Sequence, residues 1–289
     1  MSEADEAELQ DLRQALRMLS KIDPWIETVT AGDTQRPWTP SDRSPLSVDD
    51  SRTHPYRLSH RSWLAITVAV DFLHCLRRSL TQETNGREIH VQLHTYAQMA
   101  LLRGAVENAC CAVYLLGPTT RLERVTNRLR LEWKETKPAH RLRELAGALP
   151  TWTIEQRQRE LADMLIAAKL PYTPLPGEDP RAAARRIASK TLKSDLDYAL
   201  MIRRAGELVP ELSADVAEAT WRMCSALAHG DFSASIGVLD TEVVEQLQPG
   251  IKLVRASVSV KSLLYATAIA LGITSHAFAL FRLRSTPPY

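Results

Sequence analysis

Several familiar chemistries are missing from this sequence. It has no phosphate loop, no nucleophile elbow and no HExxH motif, which sets aside P-loop nucleotide hydrolysis, α/β-type serine hydrolysis and zincin proteolysis. Glu-x-x-His pairs, the ligand pattern of di-iron helical bundles, are missing too. No glycine-spaced strand-helix alternation points to a doubly wound sheet, and no internal repeat points to a solenoid. The four cysteines, Cys75, Cys110, Cys111 and Cys224, show no paired metal-ligand spacing and each falls in an apolar helical pattern, so they read as reduced core residues. Neither a metal nor a cofactor is therefore expected. A formal charge of +2 is too small to attract nucleic acid or membrane through a global field, so any such contact has to be local. Residues Met1 to Glu6 are acidic and lack the basic and then apolar order of a secretory signal, which makes the cytoplasm the expected location.

What the chain does contain is helical periodicity. Hydrophobic residues at 45% and charged residues at 24% are the balance of a protein with a packed core. Leu9, Leu12, Leu16 and Leu19 recur at helical spacing and predict a first helix from Glu3 to about Lys21. Pro37, Pro40, Pro45 and Pro55 then punctuate a polar stretch that reads as a long irregular connection, with Trp25, Trp38 and Tyr56 available to pin it. Further helices are expected over 59–84, 89–116, 120–149, from Thr153 to just before Pro171, and over 181–208 and 213–228. Gly117 and Pro118 should end one of them, and Thr120 with Glu123 and Thr153 with Gln156 read as capping boxes. Ile236, Val238 and Ile251 to Val254, around Pro249 and Gly250, read as a small hairpin.

The run from Leu263 to Phe281 is uncharged and long enough to cross a bilayer. Thr267, Gly272, Thr274, Ser275 and His276 lower its hydropathy, so it reads as a helix enclosed by its neighbours, with no membrane partner. The expected fold class is all-α, a helical bundle with a small β-hairpin before the last helix. An N-terminal helix and proline-rich linker over 1–58 would lie outside a bundle domain over 59–289.

Candidate chemistry rests on a few placements. His90 and His94, four apart in a segment expected to be helical, share a face but supply only two of the ligands a metal needs. Arg103 and Glu107 interrupt the apolar run LLRGAVENACCAVYLL at a spacing that lets them pair, either lining a polar pocket or merely orienting the bundle. Arg124, Arg128 and Lys134 belong to a basic helix and are candidate phosphate contacts, against the alternative of solvated faces paired with Glu123, Glu132 and Glu135. No series of stacking aromatics is apparent beside those charges in the sequence. In WRMCSALAHG, Arg222 and His229 lie two turns apart on nearly one helix face, about 10 Å along the axis, with Ser225 between them. His229 ends its helix, where free carbonyls attract an imidazolium and proton exchange is open to the ring.

This arrangement, an arginine followed after six residues by a histidine near a helix end, resembles the motif of the HEPN superfamily (higher eukaryotes and prokaryotes nucleotide-binding), helical proteins that include metal-independent RNases. The resemblance covers about ten residues, and Met223 stands where that superfamily usually has a polar residue. The wider order, a helix like LLRGAVE, a basic helix and a later SALAHG, also looks like uncharacterised bacterial helical families. What the HEPN resemblance implies is a homodimer with facing motifs, RNA as the partner, cleavage by the 2′-hydroxyl, His229 as general acid or base and Arg222 stabilising the phosphoryl charge, in bacterial defence or toxin biology. From a different class stands a noncatalytic helical module holding a protein partner or a small ligand, with His229 only capping its helix and Arg222 paired to a buried carboxylate such as Glu107.

Overall fold

The segment least able to face water lies at the centre. Helix α5 (Ala97–Leu116) buries Met99, Leu102, Val106, Val113 and Leu115 completely, so it needs neighbours on nearly every side. In the computed structural model, which describes residues 3–31, 37–84, 88–148, 151–193 and 196–288, it has them. Helix α4 (Leu58–Leu80) packs along one side through Ile66, Leu73 and Leu76, and α12 (Val260–Ser285) along another through Leu263, Ala270 and Ala277. Helices α9 (Tyr198–Leu208) and α10 (Ala214–His229) complete the cover. Arg103, Glu107 and Asn108 form a partly open polar strip on α5. The fold is the expected all-α bundle with a small antiparallel hairpin directly before the last helix. Both α5 and α12 are long and apolar enough to span a membrane, with 67% and 50% of their apolar windows buried against the rest of the bundle. Thr274, buried in α12, donates its hydroxyl to the Ala270 carbonyl, so this polar group is satisfied within its own helix.

The N-terminal segment packs into the same core. Helix α1 (Glu3–Leu19) runs through a 3₁₀ turn (Ser20–Ile22) into α2 (Asp23–Thr30), and α3 (Pro45–Thr53) follows. Leu19, Ile22 and Leu46 are fully buried in one cluster with residues of α4 and α5. Two helices thus occupy a stretch expected to be irregular. Pro24 and Pro45 stand in first turns, where no backbone N–H is required, so they start helices instead of blocking them. Trp25 stacks on Phe278 at 5.6 Å and Tyr56 is buried, which pins this region as those aromatics suggested.

A second, smaller cluster joins α6 (Arg121–Leu145), α7 (Ile154–Ala167) and α8 (Pro180–Leu192) through Val125, Leu129, Leu161, Leu165 and Leu192. Thr120 caps α6 by accepting from the Glu123 N–H, and Thr153 with Gln156 forms a complete capping box. Asn127 Nδ2 donates to the Tyr114 carbonyl at 2.9 Å and links this cluster to the end of α5.

Several boundaries differ from the periodicity. Helix α4 stops at Leu80, and β1 (Thr81–Thr84) pairs antiparallel with β2 (Glu88–Val91). Helix α5 starts only at Ala97, because Gln98 accepts from the His94 N–H and donates to the Gln92 carbonyl, tying down the turn before it. His90 therefore stands on a strand and His94 in the irregular stretch before α5, not on one helix face; the His90 side chain lies outside the described residues. The helix expected over 181–208 is two, because Asp197 accepts the Leu200 N–H and caps α9 as a separate helix. Ile236 and Val238 belong to α11 (Phe232–Val238), and the hairpin itself is β3 (Leu239–Gln248) with β4 (Ile251–Val258). Gly117 keeps right-handed geometry, φ −66°, instead of the left-handed cap. Of the cysteines, Cys110, Cys111 and Cys224 are buried as free thiols, whereas Cys75 faces solvent on α4.

Candidate functional site

Helix α10 positions the residues singled out by the sequence. Ser213 caps its start, and Ala217, Thr220, Cys224 and Leu227 recur at three and four to form its buried face. The opposite stripe carries Glu218, Arg222, Ser225 and His229. At its end Gly230 takes the left-handed conformation, φ +65°, and the N–H groups of Gly230 and Asp231 close on the Leu227 and Ala226 carbonyls. His229 is thus held at the last turn with its ring exposed. Trp221, Arg222, Ser225 and His229, with Met223, Ala226, Asp231 and Val238, line one open groove of about 490 Å³.

Arg222 and His229 share that groove, yet the guanidinium touching the imidazole is a different one. Arg103 Nη1 of α5 stands 2.6 Å from His229 Nε2. An arginine only donates, so Nε2 accepts and the ring proton sits on Nδ1. Glu107, one turn further along α5, accepts from Arg103 Nε at 2.8 Å and from the Trp221 indole N–H at 2.7 Å on the same oxygen. The expected Arg103 and Glu107 pair is formed, and it is largely shielded, with side chains 25% and 16% exposed. Trp221 to Glu107 to Arg103 to His229 is one hydrogen-bonded chain across α5 and α10. A carboxylate behind the guanidinium fixes its orientation, much as outer partners fix a reacting group.

Arg222 takes another partner. Its Nε donates to Glu218 Oε1 at 2.7 Å while its side chain stays 63% exposed at the groove rim. Arg203 of α9 also binds Glu218, and hydrogen bonds from Arg203 and then Arg222 hold that carboxyl below its usual range. Glu107 is therefore not the partner of Arg222. Ser225 lies in the groove wall between the two.

The phosphate-contact candidates divide. Arg124 is buried and clamps Asp49 of α3, Nε to Oδ2 at 2.6 Å and Nη2 to Oδ1 at 3.2 Å, while Nη1 donates to the Pro118 and Thr119 carbonyls. Arg128 is 5% exposed and donates to Glu132 beside the Tyr56 ring. Neither guanidinium is offered to solvent, because both flank Val125 and Leu129 on the packed side of α6. Lys134 is exposed, its ammonium 4.3 Å from the centre of the Tyr198 ring. Burial and the nearby Glu107 and Glu135 raise the Tyr198 phenol, which stays protonated.

Sequence reasoning missed the Arg103 contact to His229 and the indole behind Glu107. The signal for the first was present, since Arg103 was already an anomalous charge in an apolar run; its partner on a helix 126 residues away was not. Among the described residues no group of three or more metal-ligating side chains converges. Compared with protein-family models, with curated proteins and with solved structures, the chain matches none.

Proposed function

We propose that the groove at the end of α10 acts on the phosphodiester backbone of RNA as a metal-independent ribonuclease, the activity implied by the HEPN resemblance. The observation that carries this reading is the exposed His229 imidazole, which lines a groove with Arg222 and is bonded at 2.6 Å to the oriented Arg103 guanidinium. A phosphoryl oxygen is a stronger acceptor for a guanidinium than an imidazole nitrogen is. Substrate arrival would draw Arg103 onto the phosphate and free His229 Nε2. The freed nitrogen takes the proton of the 2′-hydroxyl, the 2′-oxygen bonds to phosphorus, and the bond to the 5′-oxygen breaks. That leaving oxygen takes its proton from His229 of a second copy, there in the imidazolium form with its own Arg103 drawn onto the phosphate, if two grooves face each other as the resemblance implies. The first imidazolium then returns its proton to water. Arg103 and Arg222 offset the charge that builds on the phosphoryl group. The products are a 2′,3′-cyclic phosphate and a 5′-hydroxyl.

The test is purified protein with single-stranded RNA in excess chelator, products resolved by end-group analysis. Cyclic phosphate ends are expected, and His229→Ala, a change at an exposed position, should slow their appearance by roughly 10²-fold or more. RNA left intact by the wild-type chain, or cut equally by the variant, overturns the proposal. The second reading, a noncatalytic module for a protein partner, is favoured by one observation. Val243, Val244, Leu247, Ile251, Leu253 and Val254 on the hairpin are each about half exposed.

A further inference from the structure

The His229 groove does not end at its own rim. Glu107, which orients Arg103, also lines a narrow cleft with Asn108, Lys134 and Tyr198. Lys134 in turn lines a third hollow, about 400 Å³, together with Trp133, Lys137, Gln158 and Lys193. Each hollow shares a wall residue or a hydrogen-bonded partner with the next, so one surface path leads from α10 across the start of α9 to the seam between α6 and the end of α8. Its chemistry alternates along the way. Trp221 lies beside Arg222 and His229, Tyr198 lies under Lys134, and Trp133 lies beside Lys137 and Lys193.

The charges on that path are unequally committed. Glu107 is bound by Arg103, Glu135 by Arg61 at 2.7 Å, and Asp197 caps α9, so the carboxylates of the middle cleft are already engaged. Lys134, Lys137 and Lys193 are exposed, and among the described residues none of them has a carboxylate partner. Lys134 and Lys137 lie on one face of α6 about 4.5 Å apart along its axis, and Lys193 ends α8 opposite them. Ammonium groups without a carboxylate partner, one of them resting on the Tyr198 ring that it would yield to a base, beside partly exposed rings are what a single strand requires, since its phosphates seek charge and its unpaired bases seek a flat apolar surface. A duplex buries its base faces and gains nothing from Tyr198.

We propose that single-stranded RNA runs from the His229 groove over the Tyr198 ring into the hollow beside Trp133, where Lys134, Lys137 and Lys193 hold its phosphates. The ligand class rests on the ribonuclease reading, but the strand path is tested by binding alone. The probe is a fluorescein-labelled 2′-O-methyl uridine 12-mer, which lacks the attacking hydroxyl and stays intact, titrated with the full chain at several salt concentrations. Wild-type binding should weaken with salt. Changing all three lysines to glutamine should lower affinity at least tenfold and flatten the slope of log affinity against log salt by about 2, from about 0.7 per phosphate contact on a single strand. Tyr198→Ala should lower affinity and leave that slope as it is, because stacking releases no counterions.

An unbound 12-mer, or a triple variant with wild-type affinity and slope, overturns the path. So does a phosphate-only result, in which inorganic polyphosphate displaces the probe as well as unlabelled 12-mer does and Tyr198→Ala binds like wild type. Lysine-dependent and Tyr198-dependent binding by a chain that leaves cleavable RNA intact keeps the path and rejects the catalytic reading.

Discussion

At the scale of single residues, the buried Asp49 and Arg124 pair shows how a charge can look functional and be structural. Arg124 reads as a phosphate contact because its helix is rich in arginine and lysine. Its carboxylate partner is 75 residues earlier and fully buried, which no local pattern announces. Removing one member strands the other charge in the core. Asp49→Ala should therefore cost about 3–5 kcal/mol in chemical denaturation, while Asp49→Leu combined with Arg124→Leu should recover a large part of that loss. If the single variant unfolds at the wild-type denaturant concentration, the pair contributes little. His229 is the opposite case: an exposed ring at the helix end was foreseeable from SALAHG, but its arginine partner was not Arg222.

At the scale of elements, the β3 and β4 ribbon is the least self-sufficient part of the chain. Only its base, Leu239 opposite Val258, reaches the core, and a two-stranded ribbon is marginal in water by itself. Its turn at Pro249 and Gly250, with Gly250 at φ +82°, was legible because few residues other than glycine take that conformation. Glu242 stands opposite Arg255, 3.7 Å away, whereas Asp240 and Glu245 stand opposite Ser257 and Leu253, so one charge pair marks the register beside the turn. Replacing 241–256 by a two-residue Asn-Gly turn should leave helical circular dichroism intact and shift the melting temperature by no more than a few degrees, since it removes few buried groups. Loss of the helical signal would mean that the ribbon supports the bundle. Helices α2 and α3 were missed for the reverse reason. Proline was read as a breaker where it serves as a starter, and eight- and nine-residue helices show too few turns for periodicity to register.

At the scale of the whole molecule, stability should carry a pH dependence through α12. His276 is half-buried there, and burial holds its imidazole below the usual range, partly offset by a bond to the Leu208 backbone. A histidine depressed in the folded state is protonated more readily in the unfolded chain. Its stabilising contribution is complete above about pH 6.5, the ordinary imidazole value, and is lost as pH falls through the lower folded value. Melting temperatures from pH 8 to 5 should fall more for the wild type than for His276→Gln, which keeps an N–H donor without the titration. Equal slopes would show that the ring is not desolvated.

The sequence by itself determined most of the longer helices, the caps at Thr120, Thr153 and Ser213, the hairpin before the last helix and the pairing of Arg103 with Glu107. These depend on residues a few positions apart, where spacing and hydrogen-bonding chemistry act directly. Only the tertiary structure decided which basic side chains face solvent and which guanidinium meets His229. Those outcomes depend on how α3 lies on α6 and how α10 crosses α5, and such contacts form between surfaces brought together by burial of distant apolar faces, whose mutual rotation no single segment encodes.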